Sequence, residues 1–346
     1  MKILSAFKHG LIRVSRTKRM VFFAWFVNVV IVLPLALPAL TELNSYLRST
    51  VLDEQILQHM DAAWMDGFRA DHASSEVFRH MDSSIFGYAP FMSQLEMRMN
   101  GMFIKTLGDF LYDLLFRWEI NTSATSLLFL LGLLYVCASS FLAGGFIGIY
   151  SKEYPFSFTE FLSEGARYFG KFFRLTLVAL VIFVLFFMLI VDPINTGIAR
   201  WTSTEASETV PYAYYMIRNV IVLFLLSVLY MIVDYARIRM VVDDRTSAIA
   251  AAAAGTKFAL SEFRSAYSLY LLLCLVGVLL IALYAVIEHA IPQNSYWPLL
   301  VLFILQQGYL FARLWLKAGF YACQTKLYQA ASFEEHLRKA ATPQAT

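Results

Sequence analysis

Apolar positions fall in long unbroken runs along this chain. A helix rises 1.5 Å per residue, so about 20 mostly apolar residues are needed to cross roughly 30 Å of hydrocarbon. Four stretches lacking Asp, Glu, Lys and Arg meet that length: 20–41, 120–151, 265–287 and 289–312. Two shorter ones, 175–191 and 219–233, reach it when a flanking charge snorkels to the surface or is drawn into the membrane. The pattern predicts an all-α polytopic membrane protein with six transmembrane helices. Pro34 and Pro38 in the outer half of the first span are expected to kink or end it.

Between the spans the apolar positions become periodic. In segment 42–119, the one substantial extramembrane region, Leu52, Ile56, Met60, Ala63, Trp64 and Phe68 share a helical face, and so do Phe103, Leu107, Phe110, Leu111, Leu114, Leu115 and Trp118. Lys105, Asp109, Asp113 and Arg117 recur every four residues opposite the second stripe. Two arrangements fit: helices lying in the headgroup layer, or helices packed on each other as a small cap. On the other side, Ser157-Phe158-Thr159-Glu160 matches a capping box, in which Ser and Glu side chains satisfy first-turn N–H groups. The aromatic, basic stretch after it and the Ala-rich 246–263 stretch predict interfacial helices within 152–174 and 240–264. Each unit opens on a similar phrase, FLLGLLY at 129–135 and FLLSVLY at 224–230, the pattern of a parallel repeat.

Charge supplies orientation, since Lys and Arg near span ends stay cytoplasmic. Lys2, Lys8, Arg13, Arg16, Lys18 and Arg19 precede the first span with no acid among them, whereas segment 42–119 holds 12 acids against 6 bases. The alternation continues to the tail, so both termini are expected in the cytoplasm. The first apolar run is too long for a cleavable signal and reads as a retained anchor.

Composition agrees and narrows the classes. The chain is 59% hydrophobic and 15% charged, against roughly 25% charged for soluble domains. A net charge of +3 excludes a nucleic-acid binder, and three scattered cysteines exclude a disulfide scaffold.

Asp234, Arg237 and Arg313 are the sharpest candidate residues. Charge at membrane depth is tolerated only when it faces protein or water and is paired, so Asp234 is expected to face the bundle and pair with Arg313 or with Arg237. Gln306 and Gln307, with Asn28 in the first span, serve either as interhelical glue or as the polar lining of a substrate site. Ser140, Gly144 and Gly148, spaced by four, predict close helix packing. Other motifs fail. Gly165 to Lys171 resembles a phosphate-binding loop, but Phe172 stands where Ser or Thr must bind Mg²⁺. His59, His72 and His80 match no zinc spacing. No catalytic residue, cofactor or metal is expected, and the chain reads as a non-enzyme.

Several of these pieces together carry a resemblance. The basic N-terminus, the Pro-containing first span, Asp61-Ala-Ala-Trp64, Gly144-Gly145, the stretch from Phe158 to Arg174 and Asp234-Tyr-Ala-Arg237 resemble a poorly characterised family of bacterial six-span integral membrane proteins. That family is distantly similar to the membrane domain of some glycerophosphodiester phosphodiesterases. The resemblance implies a bacterial inner membrane and no assigned activity; the phosphodiesterase barrel has no room in this length. The expected function is an accessory or scaffold subunit of a membrane assembly, partnered by membrane lipids and other membrane subunits. The alternative is a small-solute or lipid transporter using a polar site between spans 4 and 6.

Overall fold

The computed structural model describes residues 2–49, 124–152, 157–205, 207, 209–291 and 296–341. The stripes and charge ladder expected within 50–119, and the three histidines there, lie outside those residues. Among the described residues every regular element is a helix. Nine α-helices are defined among them: α1 (Lys2–Arg16), α2 (Lys18–Ser49), α3 (Ala124–Ser151), α4 (Phe158–Phe186), α5 (Asp192–Trp201), α6 (Thr209–Val242), α7 (Ala248–Ser261), α8 (Phe263–Ala290) and α9 (Tyr296–Ala341). Among the described residues five helical stretches are long and apolar enough to cross a membrane, or six when α1 and the start of α2, bent by 70°, count as one. The chain is an all-α, multi-pass membrane protein.

Several boundaries differ from expectation, each for a local reason. α2 runs through Pro34 and Pro38, so neither ends it. α4 joins α5 through one π-helical turn, Phe187–Val191. Pro193 stands at the start of α5, where an α-helical interior would clash with its ring and want its missing N–H; the wider π turn relieves both. The helix thus reaches Trp201, ten residues past the expected 175–191 span. Likewise 158–174 is no separate interfacial helix but the first half of a spanning-length one. α9 is the largest departure: 46 residues long, it carries Arg313 in its interior rather than at its end.

The bundle is sealed at its basic end, where α1, α7 and the first turns of α4 gather. Tyr150, Phe161, Phe172, Tyr235, Ile238, Met240, Ala318 and Cys323 form a continuous core there. Glycines set the approach of the helices. A Cβ on Gly145 would lie 2.5 Å from the Phe161 ring, one on Gly148 2.6 Å from Glu164, and one on Gly144 3.1 Å from Tyr168. The Ser140-Gly144-Gly148 stripe of α3 thus lies against α4, with Ser140 buried. α6 and α7 cross where a Cβ on Gly255 would stand 2.6 Å from the Ala236 backbone nitrogen. The matching α3–α4 crossing has Gly165 on Phe141, and Phe141 to Ala236 is the same 95-residue step as Phe129 to Phe224.

α1 packs across α9, so both described ends of the chain lie at the basic end. Gly10 allows it, because a Cβ there would meet Cys323 Cα at 2.7 Å. Arg13 donates to the carbonyl oxygens of Ile149, at 2.9 Å, and Lys152. Thr17 at the bend donates to the Arg13 carbonyl at 3.2 Å and lies 3.3 Å from the Tyr150 hydroxyl. Lys152 pairs at 2.6 Å with Glu164, whose side chain is 8% exposed.

The helix caps make a prediction. Ser247 caps α7, accepting from the Ala250 N–H at 3.3 Å, whereas Ser157 caps α4 with no side-chain bond, so the expected capping box is not closed. Ser247→Ala should cost about 0.5–2 kcal/mol. Ser157→Ala should shift the melting curve far less, and thermal unfolding in detergent compares the two.

A second prediction concerns pH. Asp244, in the turn between α6 and α7, adopts φ 46°, a left-handed conformation Asp tolerates better than most residues. Its carboxylate accepts from Lys171 Nζ at 2.9 Å and lies 3.5 Å from Arg167. The Lys171 hydrogen bond and charge hold the Asp244 carboxyl below the usual carboxylate range. A depressed folded value means this contribution is complete above the unfolded value, about 3.9, and lost as pH falls through the folded one. The tether of α4 to this turn should hold at neutral pH and release only in acid. In Lys171→Gln the Asp244 titration, followed by NMR, should move up toward the ordinary range; an unmoved midpoint would refute the pairing.

Candidate functional site

A cavity of about 1170 Å³ lies between α2, α6, α8 and α9, with Tyr135 of α3 on its wall. This exceeds the roughly 300–1,000 Å³ of ordinary small-molecule pockets. Along α9 its lining runs from Phe303 to Tyr321, about 27 Å of helix at 1.5 Å per residue, close to the hydrocarbon thickness.

Polarity is segregated along that length. The end away from the core is lined by Val32, Leu33, Ala36, Ile281, Phe303 and Ile304. Midway sit Trp25, Asn28 and Gln307. Trp25 Nε1 donates to Gln307 Oε1 at 3.2 Å, tying α2 to α9, while Asn28 closes its own amide on the Ala24 carbonyl at 2.7 Å. At the basic end Asp234, Arg237, Arg313 and Lys317 all line the cavity.

The charge network only partly follows the sequence reading. Asp234 pairs with Arg237, one turn on in α6, at 3.4 Å; their side chains are 17% and 21% exposed. It does not pair with Arg313. The physical reason is where α9 carries Arg313: its guanidinium lies 5.8 Å from the Tyr309 ring centre, a cation–π contact on its own helix. Arg237 also donates to the Tyr321 hydroxyl at 3.4 Å, bridging α6 to α9. Gln324, wholly buried, places its side-chain amide beside the Asp234 carboxylate, while Arg237 Nε has no hydrogen-bond partner.

Of the polar residues singled out in the sequence, Asn28, Asp234, Arg237, Arg313 and Gln307 converge on this cavity. Gln306 does not line it; it lies beside Tyr284 of α8. Lys317 and Tyr321 escaped the sequence reading because α9 was expected to end near Ala312. Continuing the helix would have revealed them, since 313, 317 and 321 follow at intervals of four.

Chemically, the arrangement sets one carboxylate and three cations at one end of a largely apolar space. Among the described residues no three His, Cys, Asp or Glu side chains gather to hold a metal ion, and the cavity lining brings no thiol or imidazole to Asp234. No family model, curated protein or solved structure matches this chain, so the geometry alone carries the functional reading.

Proposed function

We propose that this chain is a non-enzymatic carrier that takes a membrane-soluble amphiphile into the cavity between α6 and α9. The observation that carries the reading is the segregated lining: apolar over most of its length, charged at one end. An amphiphile has that shape, and ionisable side chains within a spanning bundle are characteristic of substrate paths. The lysine and arginine distribution supports a cytoplasmic basic end, and the family resemblance of the sequence a bacterial inner membrane.

The scaffold reading predicts something different at the same site. A scaffold acts through its outer surfaces, so filling the cavity should leave it unharmed. Ala36 lines the apolar end, and Ala36→Trp projects an indole beside the space a chain would occupy. Lipid co-purifying with the wild-type protein in mild detergent, measured by native mass spectrometry, should fall at least tenfold in this variant at unchanged melting temperature. Equal lipid content in both, or a protein subunit retained by both with no lipid bound, would overturn the carrier reading.

A further inference from the structure

Resting on the carrier reading, we infer that the charged end of the cavity is a receptor for a phosphomonoester group borne by a lipid. The inference starts from a charge imbalance. Three cations, Arg237, Arg313 and Lys317, line this end with one carboxylate, Asp234. Asp234 is engaged by Arg237 at 3.4 Å and also feels the Lys317 charge, but it is the one carboxylate lining the cavity against three cations. Two positive charges are left over.

Their spacing makes the surplus local. Residues four apart on a helix stand about 5–6 Å from each other at Cβ, so Arg313 and Lys317 form one cationic face of α9. Both are exposed, and both line the cavity. Neighbouring like charges repel, and the repulsion deepens with low-dielectric walls. An anion between them removes it. A phosphomonoester carries about −1.5 to −2 at neutral pH, which balances the surplus; a carboxylate or phosphodiester carries one charge and leaves half of it. The arginine fork matches phosphate oxygens two at a time, and the lysine supplies a point charge beside it.

Depth and walls then require a chain on the phosphate. Arg313 is 17 residues into α9, about 26 Å at 1.5 Å per residue, and Lys317 about 32 Å. With roughly 30 Å of hydrocarbon, these cations stand where headgroups of the leaflet at the basic end begin. Beyond them the cavity turns apolar toward Ile304, Phe303 and Ile281. A free phosphate would leave that length unfilled, whereas an acyl chain buries against it.

The test uses the full-length protein in nanodiscs of zwitterionic lipid. Binding is followed by quenching of tryptophan fluorescence, Trp25 lining the cavity. The probes are phosphatidate, diacylglycerol and inorganic phosphate. Phosphatidate should bind at least tenfold more tightly than diacylglycerol, which has the same chains and no phosphate. Arg313→Gln with Lys317→Gln should abolish that preference, bringing phosphatidate down to the affinity of diacylglycerol. Inorganic phosphate should not displace phosphatidate at millimolar concentration. Equal binding of phosphatidate and diacylglycerol to the wild-type protein would overturn the phosphate assignment and leave the carrier reading standing; this arm needs no variant. Displacement by inorganic phosphate would overturn the lipid attachment and make the site one for a soluble anion. Failure of both lipids to bind, or binding undiminished in Ala36→Trp, would overturn the carrier reading itself.

Discussion

Gly255→Ala should destabilise the folded protein by about 1–3 kcal/mol, the usual range for forcing an extra group into a packed site. The new methyl would meet two backbone atoms and the Cβ of one residue, 2.6 Å from Ala236 N, 2.7 Å from its Cα and 2.9 Å from its Cβ. No side chain can rotate away. α7 would have to lift off α6, loosening the core around Tyr235 and Ile238. Gly170 is the internal control. It lies inside α4 with nothing within 4 Å of its would-be Cβ, so Gly170→Ala should gain roughly 0.5–1 kcal/mol from helix propensity alone. Thermal unfolding in detergent should therefore separate two identical chemical changes by sign. Equal shifts would mean that the α6–α7 crossing is not where the structure has it.

Arg237→Met should have an effect as large, by a different route. Breaking a buried ion pair from one side typically costs about 3–5 kcal/mol, because the abandoned charge remains without its partner. Here the low end of that range applies, since both side chains keep some exposure and Lys317 is close enough to act on the same carboxylate. Arg237 also holds α6 to α9 through Tyr321, a bond the methionine cannot replace. Adding Asp234→Asn should recover most of the loss, because the amide is uncharged. A double variant as unstable as Arg237→Met alone would show that the Tyr321 bridge, and not the ion pair, carries the energy.

The two predictions mark how far the chain could be read in advance. The ion pair was half legible: Asp234 and Arg237, three apart in an apolar run, are natural partners on a helix, and that pair forms. The rival partner Arg313 lies on another span, and a one-dimensional pattern says nothing about direction round the helix. The glycine crossing at Gly255 was not legible at all. A glycine in an alanine-rich stretch reads as a weak spot in a helix until the neighbouring backbone is seen against it. Gly144 and Gly148, in contrast, announced themselves by their spacing.

Boundaries failed where local chemistry pulled against continuation. Pro34 and Pro38 read as kinks or stops for α2, and the apolar run before Asp192 as a span ending at Val191. Within a bundle a helix end leaves backbone groups unsatisfied where water is scarce, so the chain keeps its helix and absorbs Pro193 with a π turn. The same pressure carried α9 past Arg313.

By itself the sequence determined the material: apolar runs long enough to cross a membrane, basic and acidic segments alternating between them, and charged residues at depth with few ways of being tolerated. It could not determine which faces meet. A spanning helix is apolar toward lipid and toward its neighbours alike, so the periodicity that betrays the buried face of a soluble helix is nearly absent. Only packing, through backbone approaches at Gly10, Gly145 and Gly255, decided that α2, α6, α8 and α9 stand apart over one long cavity while the basic end closes beneath it. That closure turns Asp234, Arg237, Arg313 and Lys317 toward a common space.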